Sequence, residues 1–296
     1  APTVSVIVPY RDTPAALDRC VEALERGCDG IGYELIVVDN GSRVAPAPGL
    51  TTLRNDSNRG FAAACNQGAA AASGHYLLFL NSDVTADPAS ISRLVDVMER
   101  DAGLAAVAPL QRDPRGRTSW PGRAWLSPVA QALALLGCVR SRAPIVASDR
   151  PVTDVPWVSA AALLVRARAF RLLGGYDQSY VFYEEDEDLG WRFARRGRRV
   201  ATCRDATVAH HGGLTVEAAG SWPVLSLYCG QARFVRRRCG AGGEWLYRAS
   251  TFAAIAAKGV RGRLLGRPAP ALARAAPPRV LRLLCSRRMQ PRIAEE

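Results

Sequence analysis

The first 110 residues alternate short apolar runs with amphipathic runs, and this alternation leaves few folds open to the chain. Residues 3–8 and 34–38 are apolar throughout, as expected for strands covered on both faces of a parallel sheet. Between them, apolar residues recur at helical spacing behind Pro14, a residue favoured in a first helical turn. These signals predict an α/β fold with a Rossmann-like, mostly parallel sheet flanked by helices. The predicted order is strand 3–8, helix 14–26, strand 34–38, strand 51–53, helix 61–73, strand 76–80, a helix with Asp87 as cap and Pro88 as first residue, and strand 104–108.

Beyond residue 110 the pattern is less regular. Residues 111–154 are rich in Arg, Gly, Pro and Ser around an apolar segment at 129–136, and irregular stretches of this length are usually functional or mobile. With 296 residues, 48% of them hydrophobic, the chain can bury a large core. We expect a domain over 1–220, divided into halves at 110, and a tail over 221–296. The later predicted elements are strand 157–165, helix 167–173, a helix from the acidic run at 184–188 to Arg196, and strand 199–209.

The net charge of +12 belongs to the tail. Residues 1–220 carry 24 Lys and Arg against 24 Asp and Glu, whereas residues 221–296 carry 15 against 3. Clustered arginines suit nucleic acid or an anionic membrane. Here they alternate with apolar groups such as 245–247 and 252–257, which favours the membrane interface. We expect an amphipathic, helical C-terminal extension on an anionic membrane surface and no nucleic-acid partner. A solvated tail is the alternative.

Neither secretion nor a membrane span is indicated. No signal peptide precedes the first strand, and the longest apolar run of the tail stops at Lys258, too short to cross a bilayer. The cysteines form no CxxC pair, so neither a zinc site nor a disulfide framework is indicated. We expect reduced, mostly buried thiols in a cytoplasmic protein that is peripheral on the inner face of the membrane. The eight cysteines lie at 20, 28, 65, 138, 203, 229, 239 and 285.

Polar residues follow the predicted strands, and ligands of open α/β sheets collect at these carboxyl ends. The ends are residues 9–12, 39–42, 81–83 and 210–213. Considered one at a time, residues 39–42 are typical of a turn and residues 81–83 of a helix cap. The adjacent His210 and His211 are compatible with two histidines on the surface. Taken together, converging oxygen ligands favour a nucleotide-phosphate site with a divalent metal, Mg²⁺ or Mn²⁺, for which Asp83 can supply a carboxylate.

Residues 184–188 are five consecutive carboxylates behind two aromatic residues. A charge run often marks only a solvated face. This run stands at a predicted helix start, where backbone N–H groups and the helix dipole favour negative charge. A carboxylate held there can be both ionised and aimed at a substrate, so we expect at least one of them to act chemically.

Six short motifs occur in a fixed order, and this order resembles family 2 glycosyltransferases, in particular bacterial rhamnosyltransferase-like members. The match covers roughly residues 3–215, and six ordered motifs are far more specific than any single one. The resemblance implies a GT-A fold and inverting transfer from a nucleotide-diphosphate sugar, with a nucleotide-sugar-binding half over 1–110 and an acceptor-binding and catalytic half over 111–220. The motifs are residues 4–10, 34–42, 58–61 with 66–68, 80–84, 174–177 and 185–189.

The resemblance also assigns roles to matching residues. Asp83, helped by His210, would bind the metal that bridges the pyrophosphate. Asn81 stands where many relatives have the first Asp of a DxD motif, so the site has one charge fewer. We assign acceptor binding to Trp157 and Asp188. The donor-binding set is Pro9, Tyr10, Asp12, Asp39, Asn58, Arg59, Asn66, Asn81 and Ser82, of which Pro9, Tyr10 and Asp39 would hold the base and ribose.

Asp186 matches the family's general base, and Glu185 is its neighbour in the catalytic motif. The base would take the proton of the acceptor hydroxyl, while the metal and Arg59 stabilise the leaving diphosphate. Crowding should raise the pKa of some of these carboxyl groups. Asp188 would alternatively orient the base or cap the helix. The remaining carboxylates are as compatible with capping and solvation as with chemistry.

The resemblance favours L-rhamnose from dTDP-rhamnose. The tail and the Arg-rich segment 112–123 favour a glycan or polyprenyl-diphosphate-linked acceptor of cell-wall or polysaccharide biosynthesis. Three alternatives stay open: a different donor such as UDP-galactofuranose, an acceptor that is a soluble natural product, and assembly as a homodimer. A nicotinamide-dependent oxidoreductase would need a G-x-G-x-x-G motif, absent after the first strand. A nucleotide- or nucleic-acid-binding protein is another alternative. Nucleic-acid binding conflicts with the neutral charge of residues 1–220 and with the acidic helix, which would repel phosphate.

Overall fold

The computed structural model of the protein describes residues 2–135, 148–180, 182–211 and 222–264. The chain forms two compact units. In the described ranges the first comprises 2–124, 148–178 and 185–211, and the second comprises 125–135, 179–180, 182–184 and 222–264. The elements of the first unit are β1 Val4–Tyr10, α1 Pro14–Gly27, β2 Tyr33–Asn40, β3 Thr52–Asn55, α2 Phe61–Ala71, β4 Tyr76–Leu80, β5 Val84–Ala86, α3 Ser90–Arg100, β6 Leu104–Arg112, β7 Thr118–Ser119, β8 Gly122–Arg123, β9 Val152–Val155, β10 Trp157–Val158, β11 Ala162–Arg166, α5 Ala167–Leu172, α6 Glu185–Ala194 and β12 Arg199–His210. The second unit contains α4 Pro128–Leu135 and α7 Trp222–Leu264.

A single large sheet organises the first unit, with strand order β3-β2-β1-β4-β11-β6-β12-β5. Strands β1 to β4, β6 and β12 run in the same direction, because β4 and β6 are both antiparallel to β11. The edge strands β5, β7 and β9 are antiparallel to their neighbours. The mostly parallel sheet is therefore confirmed, and its parallel strands bring their carboxyl ends to one edge.

Two hydrophobic clusters cover the two faces of this sheet, which is why its central strands are mostly apolar. One cluster joins Leu24 of α1 and Met98 of α3 to alternate strand residues. The other joins Phe193 of α6 to the opposite strand face. Helix α2 approaches β1 so closely that a Cβ on Gly68 would lie 2.4 Å from Ile7 Cγ2. Small residues in α2 thus set the distance between helix and sheet.

Two predicted element boundaries are wrong. The predicted strand 157–165 is divided: β10 pairs with β8 in a separate small sheet, and β11 enters the main sheet. The intervening residues turn away to bond other loops, as when Asn81 N donates to Ala161 O at 2.9 Å. Asp87 does not cap the next helix, because its carboxylate pairs with Arg112 and the helix begins at Ser90.

The second unit packs α4 against α7, which is interrupted at Gly240, whose φ of 73° is non-helical. Gln131 Nε2 donates to Thr251 Oγ1 at 2.5 Å, and the rings of Trp125 and Phe234 are 6.2 Å apart. The expected helical character of the tail therefore holds over 222–264. The apolar pairs that the tail also carries at 264–265, 280–281 and 283–284 lie wholly or partly outside the described residues.

Within the described ranges, no helix combines the length and the apolarity that crossing a membrane requires. The cysteines described there carry free thiols, as expected, and most of them are buried. Cys138 and Cys285 lie outside the described residues.

Candidate active site

The carboxyl ends of β1 and β2 are joined by polar contacts. Asp39 is fully buried, its Oδ1 accepts from Ser42 N at 2.9 Å, and its Oδ2 pairs with Arg54 at 2.9 Å. Arg54 also donates to Ser42 O at 3.1 Å. The turn after β2 is thus built around a buried carboxylate. Sequence reasoning missed Arg54, because only the pairing of β2 with β3 sets Asp39 opposite it.

Tyr10 and Asp12 hold the segment that follows this turn. Tyr10 donates its hydroxyl to Val44 O at 2.7 Å, and Asp12 Oδ1 accepts from the N–H groups of Arg43 at 2.7 Å and Val44 at 3.0 Å. Burial, followed by the charges of Asp12 and Asp39, raises the pKa of Tyr10, so its hydroxyl stays a donor. Pro9, just before Tyr10, is partly exposed at the same strand end.

Asn40 organises the loop that carries Asn58 and Arg59. Its Nδ2 donates to Asn58 Oδ1 at 2.8 Å, and its Oδ1 accepts from Arg59 N at 2.9 Å. Gly41, with φ of 74°, lies so close to this loop that a Cβ would be 2.6 Å from the carbonyl carbon of Ser57. The arrangement leaves the Arg59 side chain exposed. Asn40 lies in the motif at 34–42, but nothing in the sequence indicated this contact.

Asn66 connects α2 to the glycine turn at 174–176. Its Nδ2 donates to Tyr176 O and its Oδ1 accepts from Tyr176 N, both at 2.8 Å. Gly175 has φ of 79°, and a Cβ there would lie 2.5 Å from Asn66 Oδ1. Both ends of the Asn66 amide are therefore bonded to backbone, and its predicted contact with a donor stays a prediction.

Asp83 and His210 meet at the sheet edge. Strand β5 pairs with β12 so that Val84 is opposite His210, and Asp83 Oδ1 lies 3.4 Å from His210 Nε2. His211 N donates to Asp83 O at 3.0 Å, and Ser82 Oγ lies 3.0 Å from Thr13 Oγ1. Of the two histidines it is therefore His210 that faces Asp83.

The Asp83 and His210 pair fits a divalent cation only when a substrate completes the site. Mg²⁺ usually binds through one or two carboxylates together with phosphate oxygens and water. Both side chains are partly exposed, at 13% and 26%, so further ligands can reach them. Within the described part of the chain, no group of three or more His, Cys, Asp or Glu side chains could hold a metal ion alone.

The acidic run begins α6, as predicted, but most of it is not solvated. Glu187 and Asp188 are fully buried, Glu184 is 3% exposed and Glu185 is 5% exposed. Asp186 alone among the five is partly exposed. The interpretation of the neighbouring carboxylates as a solvated face is therefore wrong.

Backbone contacts bring Asp186 close to the turn that carries Asn81. Its Oδ2 accepts from Ala160 N at 3.2 Å, and its Oδ1 accepts from Glu187 N at 2.8 Å. The next residue, Ala161, accepts through its carbonyl from Asn81 N. One short link between β10 and β11 thus bonds both the acidic run and the turn before Asp83. Sequence reasoning missed this link because its alanines carry no polar side chain.

Asp188 and Trp157 are both buried. Asp188 pairs with Arg192 at 2.6 Å, and Arg192 in turn donates to Gly175 O at 2.7 Å and to Leu173 O at 3.2 Å. Trp157 is 6% exposed and donates its ring N–H to Ala124 O at 3.2 Å. Their predicted acceptor contacts stay predictions, whereas the ion pair links α6 to the glycine turn.

Comparison with known proteins agrees with this geometry. A family model described as glycosyl transferase family 2 matches residues 5–138. The N-acetylglucosaminyl-diphospho-decaprenol L-rhamnosyltransferase of Mycobacterium tuberculosis is 31% identical over 234 residues, which are 70% of this chain and 75% of that protein. The chain belongs to glycosyl transferase family 2. A second relative of this family 2 glycosyltransferase, the pre-mycofactocin glycosyltransferase of the same species, is 32% identical over 218 residues, covering 70% of this chain and 42% of the relative.

Solved structures agree on the fold of the family 2 enzyme. GalNAc-T7, solved with UDP, GalNAc and Mn²⁺, superposes with a TM-score of 0.63 at 16% identity, over 79% of this chain and 48% of that chain. A Pyrobaculum calidifontis mannosyltransferase, solved with GDP-Man and Mn²⁺, gives a TM-score of 0.56 at 18% identity, over 95% and 81%. The expected GT-A fold is therefore confirmed.

Proposed function

We propose that this family 2 glycosyltransferase is an inverting enzyme that uses Asp186 as its general base. It would move a sugar from a nucleotide-diphosphate donor to a hydroxyl of a polyprenyl-diphosphate-linked acceptor. The observation that carries this proposal is the difference in exposure within the acidic run. Four of the five carboxyl groups are at most 5% exposed, and Asp186 alone is partly open to a substrate.

In the proposed reaction the acceptor hydroxyl gives its proton to Asp186 while its oxygen attacks the anomeric carbon. The bond from that carbon to the diphosphate breaks, and the configuration inverts because attack and departure occur on opposite faces. The N–H groups of Ala160 and Glu187 hold the two carboxylate oxygens in a fixed orientation. A general base placed in this way contributes about 10²- to 10⁴-fold to the rate.

The donor site is proposed at the carboxyl ends of β1, β2 and β4. The exposed guanidinium of Arg59 would meet the diphosphate charge. A bound Mg²⁺ or Mn²⁺ would supply further charge neutralisation for the leaving group. Asp83 and His210 are the residues proposed to hold this cofactor, since they are adjacent and accessible. The proposed donor contacts remain Pro9, Tyr10, Asp12, Asp39, Asn58, Arg59, Asn66, Asn81 and Ser82, with Asn40 and Arg54 as residues that position them.

The rhamnosyltransferase relative supports L-rhamnose as the transferred sugar and a polyprenyl-linked acceptor, and dTDP-rhamnose is the proposed donor. The pre-mycofactocin relative, at similar identity, supports a second candidate, a family 2 transferase with a different acceptor. The electrostatic support from the Arg-rich segment is weaker than expected. Arg112 and Arg117 already pair with Asp87 and Asp113.

An anionic membrane is the proposed surface partner of the second unit. Trp245 is 72% exposed and Phe252 42% exposed on α7, which also carries exposed arginines at 236–238. Exposed aromatic residues beside arginines suit the headgroup region of a bilayer. Flotation with anionic vesicles should fail for Trp245→Ala/Phe252→Ala and persist for Leu172→Ala, which removes an exposed apolar group of the first unit. Equal flotation of both variants would refute this surface.

The activity is tested with a panel of nucleotide sugars, Mn²⁺ and a polyprenyl-diphosphate-linked acceptor, by following nucleoside diphosphate release and product mass. We expect dTDP-rhamnose to be used and Asp186→Asn to lose at least about 100-fold in kcat with unchanged donor affinity. The matched control is Asp96→Asn, an exposed Asp on α3. Survival of transfer in Asp186→Asn would exclude Asp186 as the base.

A further inference from the structure

The residues just before α6 adopt a strained turn. Tyr183 and Glu184 are consecutive non-glycine residues with φ of 70° and 75°. Side chains with a Cβ avoid this left-handed region, and such residues persist only where the surroundings hold them. The turn leads directly into Glu185, the first residue of α6.

Helix α7 holds this turn from one side. Ser226 Oγ donates to Phe182 O at 2.9 Å, and Arg233 donates to Ser179 O at 2.6 Å. Between them, Gly230 lets the helix backbone approach, because a Cβ there would lie 3.1 Å from both Tyr183 O and Glu184 Cγ. Positions 226, 230 and 233 lie on one helical face, so a single stripe of α7 contacts the whole segment.

Glu184 also enters a buried hydrogen-bond relay. Gln231 Nε2 donates to Glu184 Oε1 at 3.2 Å, and Tyr247 donates its hydroxyl to Gln231 Oε1 at 2.5 Å. The exposed fractions are 3% for Glu184, 7% for Gln231 and 0% for Tyr247. Since Gly240 interrupts α7 between Gln231 and Tyr247, the relay joins both helical segments to the turn.

We propose that Gln231 and Tyr247 are positioning residues for the general base. They hold Glu184 and so fix the backbone of the strained turn, which ends two residues before Asp186. The inference rests on the proposed function of Asp186.

Substitutions in the relay test this inference. Tyr247→Phe removes one hydroxyl and should lower kcat about fivefold, and Gln231→Leu removes both hydrogen bonds and should lower it at least tenfold, with donor KM unchanged. Thr251→Val is the matched control, because it also removes one hydroxyl bond of α7 but does not touch the turn. Equal losses of kcat in Tyr247→Phe and the control would overturn the positioning role.

A rescue experiment separates positioning from general stability. Gln231→Glu places two carboxyl groups in contact and should lose activity, whereas Glu184→Gln/Gln231→Glu exchanges amide and carboxyl and should regain kcat to within threefold of the wild type. Failure of the exchange to rescue would overturn the inference.

Hydrogen exchange of residues 179–190 gives a readout that does not need turnover. The amides should exchange at least tenfold faster in Gln231→Leu and return to the wild-type rate in the exchanged double variant. Unchanged exchange would refute the contact even if no tested donor reacts. If the wild-type enzyme is inactive, only the proposed function is refuted. If the wild type is active and the Gln231 and Tyr247 variants are fully active as well, only this inference is refuted.

Discussion

The ion pair between Asp188 and Arg192 distinguishes a structural from an acceptor-binding role of the acidic run. Asp188 is fully buried, its carboxylate lies 2.6 Å from a guanidinium whose side chain is 12% exposed, and that guanidinium also bonds two carbonyl oxygens. Asp188→Ala removes the anion and leaves the cation buried. Breaking a buried pair in this way costs about 3–5 kcal/mol of unfolding free energy.

The assay is urea unfolding followed by circular dichroism. With an m value of about 2–3 kcal/mol/M, the midpoint should fall by about 1–2 M urea. The double variant Asp188→Ala/Arg192→Met removes the unpaired cation as well, so it should be more stable than Asp188→Ala by at least about 1 kcal/mol. Exposed Asp96→Ala is the control.

A structural role and an acceptor contact give opposite results. The ion pair predicts lost stability with an unchanged acceptor KM in whatever protein stays folded. A loss below about 1 kcal/mol together with a raised acceptor KM would refute the structural role and support the acceptor contact.

Three further predictions concern the fold and the proposed donor site. Burial, then the hydrogen bond to Glu99, raises the pKa of Tyr76 to about 12. The stability that the protonated hydroxyl contributes should therefore be complete below pH 10 and lost between pH 10 and 12. Urea midpoints of the wild type and Tyr76→Phe at these pH values measure this loss. Arg54→Met should raise donor KM about tenfold with little change in kcat, as judged by steady-state kinetics, because it removes the partner of buried Asp39. Gly41→Ala should weaken donor binding in calorimetry at least tenfold, since its Cβ would strike the backbone of Ser57.

Each of these three has a contrary outcome. An equal loss of stability at high pH in Tyr76→Phe would assign the transition to another group. Unchanged donor KM in Arg54→Met would make the pair with Asp39 irrelevant to binding. Wild-type donor affinity in Gly41→Ala would mean that the loop at 57–59 adapts.

The sequence predicted the central strands of the main sheet and most of the helices, because their apolar pattern follows directly from burial on both sheet faces. It did not predict the short strands β5, β7, β8 and β9. It predicted β4 at its observed bounds, Tyr76–Leu80. The sequence-based prediction failed where a side chain could either cap a helix or form an ion pair. Asp87 followed by Pro88 has the composition of a cap, but the neighbouring strand offers Arg112, and this pairing depends on the sheet order.

In the candidate site, too, some residues could be identified from the sequence and others only from the fold. Asp83, a motif residue, and His210, which the resemblance matched separately, were identified from the chain, and the structure brings them to 3.4 Å. The burial of Glu187 and Asp188 was not predictable, because five adjacent carboxylates normally indicate solvent. Only the partner Arg192 and the packing of α6 explain it, and neither is visible before the fold is known.

The position of β11 has a consequence for how the enzyme is made. This strand separates β4 from β6, yet it is synthesised more than fifty residues after β6 begins. While residues up to 138, where the family match ends, emerge from the ribosome, β4 and β6 each lack their shared neighbour and present apolar, unpaired edges. The nascent N-terminal segment therefore cannot complete its sheet on its own, because β11 and β12, the two neighbours of β6 in the sheet order, are both synthesised later. A fragment cut at the end of the family match should aggregate.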